Sequence, residues 1–336
     1  MSTIESTAQP DQDILLPEIP VIDSHFHLFD LPHIRYMLDE YLADAQGGHN
    51  VVASVYSETR AFIRPDGPEV MRPLGEVEFA NGIAAMTAGG RYGLCKVAAA
   101  IVGHADLTHG HAVGELLDKS MAAAPDRYRG IRHVTLDYPD ERPFQFIMSG
   151  RPPSGVLDNP NFVKGLAELD KRGLIFDAAI YDPSLPAITA LADQFPDLQI
   201  VLNNMGGLVL VDMTPEEKTA AITRWKSNLT ELAKRPNVAC KLGGLGMPTW
   251  GFDFIQRPDE ASYTELAATW QPFVETVIEA FGPERCMYGS NFPPDKRSSG
   301  YVKALNAYKH ILQDYSETEQ QQIFAGTAAK VYTLDM

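Results

Sequence analysis

Two histidines one residue apart, His25 and His27, lie in the stretch Val21-Ile-Asp-Ser-His-Phe-His-Leu-Phe-Asp30. Val21 and Ile22 read as the apolar part of an early strand, and in a strand residues i and i+2 share a side. Both imidazoles then project together from the strand's carboxyl end. Such a pair suits holding a metal ion, or presenting two donors to a substrate oxygen. The plain structural alternative is a turn histidine beside a partly buried one.

Further polar residues recur just after other apolar, β-branched stretches. Candidate strands cover 19–25, 50–56, 96–102, 130–135, 174–180, 198–203, 237–242 and 285–290. Glu58 follows the second and His104 the third. Arg132 and His133 close the fourth, and Tyr181 and Asp182 follow the fifth. Asn203 and Asn204 end the sixth, Lys241 lies in the seventh, and Asn291 and Asp295 follow the eighth. Each alone is an ordinary loop residue; their recurrence at the same end of successive strands is the informative part.

The segments between the strands have helical character. Thr214-Pro-Glu-Glu217 is a capping box with proline at the first helical position, followed by Ile222, Trp225, Leu229 and Leu232 at spacings of three and four. Leu185, Ile188, Leu191 and Phe195 mark a second apolar face stopped by Pro196. Ser316 and Glu319 cap a short helix expected to end near Gly326. Strands alternating with helices point to an α/β (β/α)8 TIM barrel, a single domain over 19–336 with long βα loops, over a doubly wound open sheet. Residues 1–18 read as a leader, extended or disordered.

Composition narrows the class. The 336 residues are 45% hydrophobic and 21% charged, with a net charge of −16. No basic cluster offers a nucleic-acid footprint, and no run approaches the roughly 20 apolar residues of a membrane span. Cys95, Cys240 and Cys286 sit among apolar residues without a CxxC spacing, as buried reduced thiols do. A cytoplasmic protein is expected, able to associate into a homo-oligomer. Two irregular segments, 138–160 and 243–262, have the length of lids or binding loops. Phe144, Phe146, Trp250 and Phe252 within them either hint at a flat or ringed ligand or pack on the barrel rim.

Eight stretches in order resemble one family. They are Ile22-Asp-Ser-His-Phe-His27, Met71-Arg-Pro-Leu-Gly-Glu76, Ala100-Ile-Val-Gly-His-Ala-Asp106 and Arg129-Gly-Ile-Arg-His133. The others are Ile200-Val-Leu-Asn-Asn-Met-Gly-Gly207, Asn237-Val-Ala-Cys-Lys-Leu-Gly-Gly244, Cys286-Met-Tyr-Gly-Ser-Asn-Phe-Pro293 and Phe324-Ala-Gly-Thr-Ala-Ala-Lys-Val-Tyr332. Together they resemble the amidohydrolase superfamily, in the amidohydrolase 2 branch that includes pyrone-dicarboxylate and sugar-acid lactonases. The resemblance implies a lumen where the first-strand histidines, a sixth-strand histidine and an eighth-strand aspartate surround a scissile carbonyl. Here the sixth-strand position is Asn204 and the eighth is Asn291; some relatives have aspartate there, and others share the Ser-Asn-Phe-Pro form with an aspartate slightly later, here Asp295. Two neutral histidines and an amide oxygen bind zinc weakly, so one divalent metal on His25 and His27 and metal-free catalysis both remain open.

The expected function is hydrolysis of a lactone or similar cyclic ester of a small carboxylic acid. His25 and His27 would stabilise the oxyanion. Asp295 or Glu58 would serve as general base, with Asn204 and Asn291 completing the catalytic set. Arg132, His133, Tyr181, His104 and Lys241 would bind the substrate. Two alternatives stand beside it: a metal-dependent decarboxylase of an aromatic or unsaturated acid, and a silent barrel that binds a small acid, Asn204 being then an inactivating change.

Overall fold

The structure, a computed structural model, describes residues 13–147, 150–257 and 260–335. Eight parallel strands follow one another around a single sheet. They are β1 (Val21–Phe26), β2 (Val51–Ser57), β3 (Lys96–His104), β4 (Tyr128–Val134), β5 (Ile175–Ala179), β6 (Ile200–Leu202), β7 (Val238–Leu242) and β8 (Cys286–Tyr288). Every strand expected from the apolar runs is present, differing only at its ends. Outside them lie α1 (Leu38–Ala45), α2 (Leu74–Ala88), α3 (Val113–Ala123), α4 (Pro160–Asp170), α5 (Leu185–Gln194), α6 (Pro215–Leu232), α7 (Tyr263–Phe281) and α8 (Tyr301–Ile311). A short antiparallel hairpin, Phe29–Leu31 with Ile34–Tyr36, follows β1. The arrangement is a (β/α)8 barrel.

The seam between β8 and β1 is narrow. Phe26 and Phe292 form one parallel bridge, His27 N donates to Phe292 O at 2.8 Å, and Asn291 N donates to His25 O at 2.8 Å. Below them Asp23 acts as a bolt. Its carboxylate accepts from Ser290 N (2.8 Å), Ser290 Oγ (2.7 Å), Tyr301 Oη (3.1 Å), Tyr41 Oη (3.2 Å) and His25 N (3.2 Å). Burial pushes its pKa up while these donors pull it down.

Alternation in β1 is interrupted. Between Asp23 and Phe26 the strand advances three residues while β2 advances two, from Ser54 to Tyr56. This extra residue is a bulge, which shifts the in–out phase of the strand. Ile22 belongs to the apolar filling of the barrel, whereas Phe26 stacks outward on Tyr41 of α1 at 4.1 Å. With the phase shifted, His25 and His27 point inward together.

Inside the barrel, Ile22, Val55, Val102, Ile175, Val201, Ala239 and Met287 form an apolar floor. The carboxyl end of the chain closes it from below. The capping box of Ser316 and Glu319 starts α9 (Glu317–Gln321) as expected, but the helix does not end near Gly326. Residues 322–326 make one π turn and α10 (Thr327–Val331) continues, because Gly326 keeps right-handed helical angles. Ala325, Ala328 and Tyr332 thereby enter the floor cluster.

Of the leader, residues 1–12 lie outside the described residues. Residues 13–18 are a turn fixed to α8: Asn306 Nδ2 donates to Asp13 O (2.8 Å), Leu15 N to Asn306 Oδ1 (2.9 Å), and Lys309 Nζ to Leu16 O (2.8 Å). Trp250 and Phe252 pack against Phe273 of α7, with ring centroids 5.1 and 6.0 Å away, so they brace the rim. Asp23→Ala would strand several buried donors at the seam and should cost roughly 3 kcal/mol or more. Urea unfolding should show this as a lowered midpoint; an unchanged midpoint would remove Asp23 from the seam's support.

Candidate active site

One step above the floor, the inward positions change from apolar to polar. Arg132 follows Gly130, Asp177 follows Ile175, Asn203 follows Val201 and Lys241 follows Ala239, each two residues on. The strands thus deliver a charged layer over a hydrocarbon base. Asp177 and Lys241 are both fully buried, with Lys241 Nζ donating to Asp177 Oδ2 at 2.6 Å. Tyr332 Oη donates to Asp177 Oδ1 at 2.9 Å, and Asn203 Nδ2 to Oδ2 at 3.2 Å. Arg132 is gripped by Glu58: Nε donates to Oε1 at 2.9 Å and Nη2 to the Glu58 carbonyl at 2.6 Å.

These cations flank the imidazole pair. Lys241 Nζ lies 3.4 Å from His25 Nδ1, and Arg132 Nη1 lies 3.3 Å from His25 Nε2. The two Nε2 atoms of His25 and His27 face each other at 3.1 Å. Burial holds both imidazoles well below their usual pKa, with Lys241 adding most at His25 and Arg132 at His27. Both rings are therefore neutral at pH 7. His27 Nδ1 sits 2.9 Å from the Ser57 carbonyl, which can only accept, so this nitrogen carries the ring's proton and Nε2 is an acceptor. The expectation of two donors facing a substrate oxygen fails here, because two neutral rings so placed offer at most one.

At the seam, Asn204, Asn291 and Asp295 form a chain. Asn204 Nδ2 donates to Asn291 Oδ1 at 3.3 Å, and Asn291 Nδ2 donates to Asp295 Oδ1 at 2.5 Å. Asp295 Oδ2 accepts from Gly246 N at 2.9 Å. Burial pushes the Asp295 carboxyl up to about 7. Asn204 and Asn291 both have left-handed backbones (φ 50° and 53°), a conformation asparagine tolerates better than most residues. The Asn204 Oδ1 atom is buried without a hydrogen-bond partner among the described residues.

His104 and His133 form a separate group, their rings 5.8 Å apart and edge to face. His104 reaches back to the Arg132 carbonyl (3.3 Å) and lies 4.0 Å from Glu58 Oε2. His133 alternates with Arg132 and faces away from the lumen, against Phe162 of α4, accepting from Leu107 N at 3.3 Å. Tyr181 lies apart as well, in an apolar cluster with Tyr138, Phe144 and Val209. Neither residue joins the imidazole pair.

Three residues escape the sequence reading. Asp177 sits inside an apolar strand and Tyr332 near the end of the chain. Arg60 follows Glu58 with φ of 62° and an exposed side chain. The buried Glu76 carboxylate fixes this loop by accepting from Thr59 N (2.8 Å), Thr59 Oγ1 (2.6 Å), Tyr56 Oη (2.9 Å) and Arg60 N (3.1 Å). Burial takes His104 and His133 down to about 4, and the positive charge of Arg60 adds to the effect at both. Arg60 stands on the loop after β2, at the end of the barrel where β3 and β4 deliver this pair.

Comparison with known proteins fits this architecture. The model of the amidohydrolase 2 family, described as "Amidohydrolase", matches residues 22–334. The chain belongs to this family. An uncharacterised Sinorhizobium fredii protein, y4mH, is 30% identical over 339 residues, spanning 94% of this amidohydrolase chain and 99% of that protein. An L-fucono-1,5-lactonase from Burkholderia multivorans is 26% identical over 238 residues, covering 70% of this chain and 72% of its own. A Burkholderia multivorans amidohydrolase solved with bound zinc superposes with a TM-score of 0.69 at 25% identity, over 94% of this chain and 99% of that one.

The residues of this amidohydrolase do not fit a catalytic zinc. Such a site takes three protein ligands. Beyond the two imidazoles come two amides bonded to one another, with a guanidinium and an ammonium beside His25. Among the described residues no group of three His, Cys, Asp or Glu side chains could hold a metal. Zinc should leave the thermal unfolding midpoint of the wild-type protein unchanged. The double variant Asn204→His, Asn291→Asp should gain about 2.7 kcal/mol when zinc is at a hundredfold excess over its Kd. A tight one-to-one zinc isotherm with the wild-type protein would contradict this reading.

Proposed function

We propose that this amidohydrolase opens a lactone, or a similar cyclic ester of a small carboxylic acid, by direct attack of water and without a metal. One juxtaposition carries the reading: donors gathered at His25 stand beside a seam that holds a buried carboxyl tuned to about 7. The lactonase relative supports the substrate class.

In this reading the ester carbonyl oxygen lies toward His25 and Arg132 Nη1. Asp295, ionised, removes a proton from water as the water oxygen bonds to the carbonyl carbon. Negative charge collects on the former carbonyl oxygen, where preorganised donors meet it. When the tetrahedral centre collapses, the ring C–O bond breaks and Asp295 returns its proton to the departing oxygen. The product is a hydroxy acid, and no side chain is consumed. Glu58 keeps Arg132 oriented instead of acting as the base, since the guanidinium occupies it. Arg60, whose guanidinium has no hydrogen-bond or ion-pair partner among the described residues, takes the substrate's carboxylate at the rim, a binding role that the sequence suggested for Arg132 and His133. A cytoplasmic setting agrees with three buried free cysteines. Among the described residues no helix is long and apolar enough to cross a membrane.

The decisive assay is a panel of sugar-acid lactones and pyrone carboxylates, run on wild-type protein and Asp295→Asn. At least one ring should open, and the variant should lose about a hundredfold or more in kcat. Because the base works only when ionised, kcat/KM should rise with pH and level off above about 7. If no ring opens and an aromatic acid instead loses CO₂, the protein is a decarboxylase; if acids bind without turnover, it is a silent barrel. Arg60→Gln should raise KM for a carboxylate-bearing lactone about tenfold with kcat within about twofold, the signature of a lost binding contact.

A further inference from the structure

The carboxyl end of the chain reaches the imidazole pair through an unbroken line of buried contacts. Tyr332 rises through the barrel floor and donates to Asp177 Oδ1 at 2.9 Å, while its ring face lies 5.1 Å from Lys241 Nζ. Asp177 Oδ2 holds that ammonium at 2.6 Å, and the ammonium points on to His25 Nδ1 at 3.4 Å. Tyr332, Asp177, Lys241 and His25 are all excluded from solvent. No water competes for these groups, so each proton must sit where a partner can receive it.

Two proton arrangements are open to His25. In one, Nε2 carries the hydrogen and donates to the lone pair of His27 Nε2 at 3.1 Å, and Nδ1 accepts from Lys241. In the other, Nδ1 carries the hydrogen and Nε2 accepts from Arg132. The second leaves two imidazole lone pairs facing each other at 3.1 Å and turns an N–H toward an ammonium, which has no acceptor, two mismatches against the single one of the first, in which Arg132 Nη1 at 3.3 Å finds no lone pair on Nε2. Asp177 decides between them by keeping Lys241 charged, and Tyr332 with Asn203 keeps Asp177 in place.

We propose that Tyr332 is a positioning residue: through Asp177 and Lys241 it fixes the His25 tautomer with its proton on Nε2, toward the lumen. The carboxyl-terminal segment is then a working part of the active centre as well as a plug. His25 offers one directed donor and His27 one acceptor, an unequal pair made from identical side chains. Only the catalytic consequence of this tautomer rests on the lactonase reading.

The test is imidazole ¹⁵N NMR on histidine-labelled, full-length protein, with His25→Gln used to assign its signals. Wild-type His25 should show a protonated Nε2 and an unprotonated Nδ1; the reverse would overturn the proposal. Tyr332→Phe keeps the ring and removes only the hydroxyl. Its His25 signals should move toward the average of two exchanging tautomers, with kcat on the best lactone falling about tenfold and KM within about twofold. Wild-type signals and wild-type kcat in this variant would reduce Tyr332 to a floor-filling role. The tautomer is read without substrate, so failure of the lactone assay leaves this test intact.

Discussion

The fully buried pair of Lys241 and Asp177 is the constraint around which the barrel interior is arranged. Taking an ammonium and a carboxylate out of water costs several kcal/mol each, and one 2.6 Å contact does not alone recover that. The remaining lone pairs and protons need partners. The tyrosine from the floor, the amide from β6 and the imidazole from β1 meet that demand, so three distant stretches of chain converge on one strand layer. Removing either charge would leave the other unpaired in a dry cavity, a far larger penalty than losing the pair as a unit.

This layer rests on a hydrocarbon floor. With Val55, Val102, Val201 and Met287 below and Tyr332 at the base, Asp177, Lys241 and His25 are all excluded from solvent. Low local polarizability strengthens every charge contact above. The same dryness keeps both imidazoles neutral, and neutrality makes the direction of each ring's single proton matter. The bulge in β1 is the backbone counterpart: without its extra residue, His25 would lie on the Phe26-free outer phase and the imidazole pair could not face Lys241.

Much of this was legible in the residues, and the parts that were not have physical reasons. Apolar runs located all eight strands, and the capping boxes at Thr214 and Ser316 started their helices as expected. His25, His27, Glu58, Arg132, Lys241, Asn204, Asn291 and Asp295 each stand at or near a strand's carboxyl end, which is why the sequence singles them out and the fold draws them together. Asp177 was missed because a single acid inside Ile175–Ala179 gives no periodic signal, and Tyr332 because chain-end aromatics are usually core. Two expected substrate contacts stand elsewhere: His133 because strand geometry sends it to the face opposite Arg132, and Tyr181 because it lies beyond the end of β5, where the turn carries it into the apolar cluster of Tyr138, Phe144 and Val209. Arg60 carries no sequence signal beyond its type; only its left-handed backbone and the Glu76 clamp bring it over the rim.

The paired asparagines at the seam make sense only together. The family resemblance implies a histidine at position 204 and, in some relatives, an aspartate at 291 where others have asparagine with an aspartate slightly later; histidine and aspartate there are a basic and an acidic group that either bind a cation or exchange a proton. Two amides instead complement one another directly: Asn204 donates to Asn291, which passes its own donor to Asp295. An aspartate at 291 would set two carboxylates within hydrogen-bond reach in a buried site, where like charges cannot both ionise. With asparagine there, Asp295 faces a donor that lowers its pKa against the burial that raises it, and the balance falls at about 7. Neutral residues at 204 and 291 therefore do more than remove metal ligands; they leave one carboxyl in the seam able to take up and release a proton near neutrality.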